Sequence, residues 1–242
     1  MKRTERRHLK ENEIEIFARQ ARETLESRQK EIVALAVVVA VVGLGAIGYF
    51  VWRENVQSKA HALLADALAT EEARVGPPLA PGTPGASGTS FPTERERSQA
   101  ALTKLKVAAD SYPSSDAGIY ARYEEASTLM ALGSLKEAAV TYQQVIDRSG
   151  NRIYGQMARL GLAEAQARAG QYEQAINTFK ELSQIKEGPL PIDGILIELG
   201  RTYLDAGRKG EAQQTFNRLV TEYPESPFSG DARRELDDLK KG

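Results

Sequence analysis

Residues 192 to 224 read IDGILIELGRTYLDAGRKGEAQQTFNRLVTEYP, and this stretch decides the fold. Gly207 sits where one amphipathic helix should end and a tight turn begin, because glycine takes the left-handed C-cap conformation at little steric cost. Beyond it, Ala212, Phe216 and Leu219 fall at i, i+4 and i+7, one face of a second helix with a small residue at the close contact and a bulky one beside it. The same set recurs upstream at an interval of 37 residues: Ala101, Ala138, Ala175 and Ala212. Leu105, Tyr142, Phe179 and Phe216 stand four residues on, and Ala108, Val145, Leu182 and Leu219 seven on. Gly133 and Gly170 repeat the position of Gly207. Amphipathic stretches at 119–132, 153–169 and 192–206 precede the three glycines. Helix, turn and helix repeated in register predict an all-α solenoid over 94–224, of three full repeats plus one split repeat.

An incomplete unit comes first. A helix over 94–111, containing Ala101, has the character of a second repeat helix, and its partner is expected over 53–73. The two are separated by residues 74–93, which hold five prolines and four glycines and are expected to form a flexible loop, more readily a tolerated insertion than a functional element. Residues 225–242 read as a polar terminal helix, the cap that a solenoid needs to stay soluble.

Upstream, residues 32–52 read IVALAVVVAVVGLGAIGYFVW, without a charged side chain. A helix of that length spans roughly 30 Å, the thickness of a bilayer's hydrocarbon core, and Tyr49 and Trp52 stand where aromatic rings favour the interface. A cleaved signal peptide is the competing reading, but its apolar run would be shorter and would end in small residues. A retained transmembrane helix is the expectation. Lys and Arg near its ends favour the leader: Arg19, Arg22, Arg28 and Lys30 precede the span, whereas Arg53 and Lys59 follow it. The positive-inside rule then puts the charged leader, 1–31, in the cytoplasm and everything after Trp52 outside. In the leader, Ile14, Phe17, Ala21 and Leu25 make a weak helical stripe that fits either a helix on the membrane face or a solvated one. Ala36 and Ala40 form a small-xxx-small pair within the span.

Composition excludes more than it assigns. The formal net charge of -1 lacks the footprint of a nucleic-acid binder. The chain has no cysteine and two histidines, His8 and His61, so thiol chemistry, disulfides and histidine-based metal sites lack their raw material. Neither a P-loop nor a G-x-S-x-G elbow occurs. No catalytic residue, cofactor or small-molecule substrate is expected, and the acidic residues of the repeats, such as Glu124 and Glu125, read as a solvated helix face.

These residues resemble the tetratricopeptide-repeat (TPR) family, whose unit of about 34 residues pairs a large and a small residue in its first helix with alanine, an aromatic and a proline around its second. The third unit fits through Leu199, Gly200, Tyr203, Ala212, Phe216 and Pro224. The second fits through Leu162, Ala163, Ala175 and Phe179, and the first through Glu125, Ala126, Leu129, Ala138 and Tyr142. Three extra residues per period, and no proline after units one and two, depart from the pattern. The resemblance implies a partner groove made mainly by first helices, which by register includes Tyr120, Tyr123, Ser127 and Met130, then Met157, Leu160 and Glu164, then Ile197, Arg201 and Leu204. Lys and Asn of a carboxylate clamp are missing there. Tyr123, Leu160 and Ile197 fit either an adhesive groove for an apolar segment or packing against the chain's own loop or cap.

The layout as a whole resembles the ancillary SecYEG translocon subunit and cell-division coordinator TPR family of bacteria. That resemblance implies a single-pass inner-membrane protein with a periplasmic scaffold, partnered by translocon subunits, emerging secretory chains or periplasmic chaperones. The alternative is an envelope scaffold that coordinates cell-wall synthesis and outer-membrane constriction with division.

Overall fold

The computed structural model describes residues 28–77, 88–185 and 188–241. Residues 1–27, with the leader's helical stripe and His8, and the loop centre 78–87 lie outside them, as does the side chain of Ala36. The chain divides into two compact units, Met1–Asn55 and Val56–Gly242, each taken by itself.

In the first unit, α1 (Gln29–Glu71) carries the apolar run. Its described large side chains up to Trp52 are more than half exposed, from Val33 at 55% to Leu44 at 70%. Apolar surface gains roughly 25 cal/mol per Å2 on leaving water, so an unburied wall of this length calls for an apolar surrounding. Among the described residues α1 is the one helix long and apolar enough to cross a membrane, with mean hydropathy 2.5.

In the second unit the remainder of α1 is followed by α2 (Glu94–Ser111), α3 (Asp116–Ala131), α4 (Leu135–Ser149), α5 (Ile153–Arg168), α6 (Tyr172–Leu182), α7 (Ile192–Asp205), α8 (Lys209–Glu222) and α9 (Ser229–Lys241). From α3 on, each helix packs on the next; α3, α5 and α7 are the first helices of the three full repeats, and α5 also touches both α3 and α7. The first helices therefore form one continuous face. Ala60, Leu64 and Ala67 of α1 are buried against Leu105 and Ala108 of α2 and Ala117 and Ala121 of α3, which completes the split repeat.

The 37-residue register is a register of burial. Ala101, Ala138, Ala175 and Ala212 are buried, as are Leu105, Tyr142, Phe179 and Phe216 below them. A Cβ at Gly200 would stand 2.3 Å from the Phe216 ring and one at Gly161 2.4 Å from the Tyr142 ring, so only glycine lets helix and ring meet. The three intra-repeat turns are alike. Gly133, Gly170 and Gly207 have φ of +84, +76 and +75°, and the next N–H donates to the carbonyl five residues back, Ser134 to Leu129, Gln171 to Gln166 and Arg208 to Tyr203, closing a Schellman turn. The cap is amphipathic: Ala232 and Leu236 of α9 are buried in the same cluster as Phe216 and Leu219.

The loop over 74–93 is more ordered at its ends than its composition suggests. Arg74–Val75 (β1) and Ser90–Phe91 (β2) form a two-residue parallel ladder, in register Arg74↔Ser90 and Val75↔Phe91, and the Gly76 N–H donates to the Phe91 carbonyl at 2.8 Å. Thr93 then caps α2, accepting from the Glu96 N–H at 3.2 Å. The Thr93 hydroxyl also donates to the Glu96 carboxylate at 3.2 Å, and this N-cap fixes where the helix begins.

Candidate functional site

The side chains of the first-helix face come from α3, α5 and α7. Tyr120 and Tyr123 lie one turn apart on α3, both half-buried, with ring centroids 6.3 Å apart and nearly parallel. Tyr154 of α5 approaches Tyr120 at 5.4 Å, and the buried Tyr142 approaches Tyr123 at 5.7 Å. The Glu124 carboxylate beside it pushes the Tyr120 hydroxyl's pKa well above the ordinary tyrosine value. Burial, and then the charges of Glu124 and Glu164, push Tyr123 up as well. Both shifts favour the protonated rings, which present a neutral face and a hydroxyl.

Beside this aromatic row lies a groove of about 500 Å3 between α5, α7 and the start of the cap. Leu160, Ala167, Pro191, Ile197 and Phe228 give it an apolar lining, and Glu164, Arg168, Glu198, Arg201 and Asp205 stand around them. Arg201 donates to Glu198 at 3.0 Å and to Asp231 at 3.3 Å, tying α7 to the cap. Burial and the nearby Glu198 raise the pKa of Glu164, with Arg168 opposing. Among the described residues Glu124 and Glu164 make no ion pair.

The opposite face, between α2, α3 and α4, has a cavity of about 590 Å3. There Arg122 donates to Glu125 at 2.6 Å and also to Asp110. Glu125 is 6% exposed, which corrects its reading as part of a solvated face: it is a buried ion-pair partner whose pKa burial raises against the pull of Arg122. Glu124, its neighbour, is half-buried beside the tyrosines.

Leu160, Ile197 and Arg201 of the expected groove meet in the 500 Å3 cavity, with Ile197, at 1% exposed, as its floor. Tyr120 and Tyr123 form the neighbouring row. Ser127 sits with Glu124 and Glu71 around a smaller polar cavity of about 190 Å3. Met130 and Leu204, each one residue from its helix end, pack against the cores, and Met157 is half-buried on α5. Phe228 and Tyr154 escaped the sequence reading because neither falls in a 37-residue column. Gly118 and Gly155 do recur at that interval, and a Cβ at either would stand within 2.1 Å of a preceding turn's carbonyl oxygen. Among the described residues no cluster of acidic and histidine side chains could hold a metal ion.

Stacked helical hairpins around a half-apolar groove define a helical-repeat scaffold for protein–protein interaction, a fold that generally serves without catalysis of its own. The tetratricopeptide repeat-like domain matches residues 27–239, and the chain belongs to that family. A solved structure from Podosopora anserina, described as a kinesin light chain with nearly identical TPR-like repeats, is similar at 16% identity and a TM-score of 0.57, covering 76% of this chain and 87% of that one. A variant of the same protein gives 16% identity and 0.58, covering 76% and 86%. At such identity the likeness is one of fold. No curated protein matches the sequence.

Proposed function

We propose that this chain is a single-pass inner-membrane scaffold of bacteria whose leader lies in the cytoplasm and whose repeats lie in the periplasm. There its first-helix face binds protein segments beside the translocon and passes emerging chains towards periplasmic chaperones. The observation that carries the binding role is the 500 Å3 groove with an apolar lining of Leu160, Ile197 and Phe228. The excess of Lys and Arg before the span supports the orientation. The layout of leader, span and repeats supports the translocon.

Co-purification from native membranes in mild detergent, read by mass spectrometry, tests the partner. Enrichment of translocon subunits, lost in a Tyr123→Asp, Leu160→Asp variant that still unfolds cooperatively, is the expected result. Enrichment of cell-wall synthases or division proteins instead would replace the translocon with the envelope reading. Topology is testable because the chain has no cysteine. Ser229 is 3% exposed and would report poorly, whereas Asn177 on α6 is exposed. An Asn177→Cys thiol should react with an impermeant maleimide admitted to the periplasm, and reaction only after inner-membrane lysis would refute the orientation.

A further inference from the structure

Charge is distributed unevenly between groove and scaffold. Around the groove, Arg201 is already bonded to both Glu198 and Asp231. Glu164 stands on the facing α5 wall, half-buried and without an ion-pair partner among the described residues. Its charge reaches Tyr123 and Tyr142, and Glu198 reaches it in turn. Glu124 lies against Tyr120 in the same way. Arg168, one turn along α5, offsets only part of the burial cost of Glu164, Arg97 lines the small cavity beside Glu124, and the tyrosine faces attract cations.

We propose that the first-helix face selects segments that are both apolar and cationic, with aliphatic side chains on Leu160, Ile197 and Phe228 and a Lys or Arg between Glu164, Glu124 and the faces of Tyr120 and Tyr123. This rests on the reading of that face as a protein-binding groove and names the chemistry of its ligand. The cation replaces hydration that Glu164 has lost, and an acidic segment meets two carboxylates that make no ion pair among the described residues and is rejected. Because Glu164 binds a proton more readily than an ordinary glutamate, a bound cation competes with that proton. Binding therefore weakens as pH falls into the carboxylate range, and it weakens with added salt.

The test uses the full chain in neutral detergent micelles and three fluorescent peptides of about a dozen residues, alternating Leu–Lys, Leu–Ser and Leu–Glu, with binding to empty micelles subtracted. The Leu–Lys peptide should bind about tenfold more tightly than Leu–Ser, and Leu–Glu most weakly. The isosteric Glu124→Gln and Glu164→Gln variants should each lose about tenfold for Leu–Lys, as expected for one charge-assisted contact, and leave Leu–Ser unchanged. Equal affinity for the three peptides, or Leu–Lys affinity indifferent to both substitutions and to salt, overturns the charge selection while the groove stands. Failure of every peptide to bind a chain that circular dichroism shows to be folded overturns the groove as well.

Discussion

On the second-helix side of the repeats, Arg122 sits between Asp110 and Glu125, Arg208 between Glu173 and Glu211, and Arg218 against Glu222. On the first-helix side, Glu124 and Glu164 are half-buried among tyrosines and leucine and make no ion pair among the described residues, with Arg168 only opposing the burial of Glu164. Both faces rest on the same cores of alanines and aromatic rings, so core packing does not account for the difference. Asp110 with Arg122 and Glu173 with Arg208 link one helix to another, whereas Arg122–Glu125, Arg208–Glu211 and Arg218–Glu222 are local to one helix or its start; all are complete within the chain. On the first-helix side Arg201 holds Glu198 and Asp231, and Glu124 and Glu164 are the carboxylates left for something outside, so the two faces should answer differently to the same kind of change.

The largest effect should come from removing what the faces share. Phe216→Ala empties the space against Gly200 and should cost about 3–5 kcal/mol, read as a lower denaturation midpoint by circular dichroism, with peptide binding lost as the stack loosens. Arg122→Met, on the second-helix side, leaves Glu125 buried without its counter-ion and should cost about 3 kcal/mol. The double variant Arg122→Met, Glu125→Met should recover most of that loss. Glu164→Gln orphans no partner and should change stability by less than about 0.5 kcal/mol; a cost as large as that of Arg122→Met would break the comparison.

The response to pH should be smaller and opposite in sign on the two faces. Glu164 has a folded pKa above its unfolded value. Its contribution to stability is present below the unfolded carboxylate pKa, near 4.3, and is lost as pH rises through the folded one. Glu211 is held below its usual value by hydrogen bonds from Arg208, so its contribution is present above the unfolded pKa and is lost as pH falls through the folded one. Stability profiles of Glu164→Gln and Glu211→Gln between pH 7 and about 3.5 should diverge from the parent in opposite directions, and parallel profiles would count against the assignment of both carboxylates.

What the sequence made legible follows from what repeats. Alanine, aromatic and glycine columns at 37 residues gave hairpins, core and turns, because every unit must solve the same packing problem at the same offset. Gly161 was missed because it answers the Tyr142 ring of the preceding unit and has no counterpart one period on. Glu124 and Glu125 look alike in sequence, yet one faces the tyrosines and the other Arg122; the roughly 100° between adjacent helical residues puts them on different sides. Phe228 lies beyond the last period, in the segment leading into α9. The groove was therefore readable through Leu160, Ile197 and Arg201, while its cap side and its charge were not.

The most direct measurement places a photo-crosslinking residue at Leu160 on one face and at Val140, 62% exposed on the other, in the full chain in its native membrane. The account expects adducts with translocon subunits or emerging secretory chains at Leu160 and none at Val140. The same adducts from Val140 alone, or from both positions equally, would contradict the first-helix face as the binding surface.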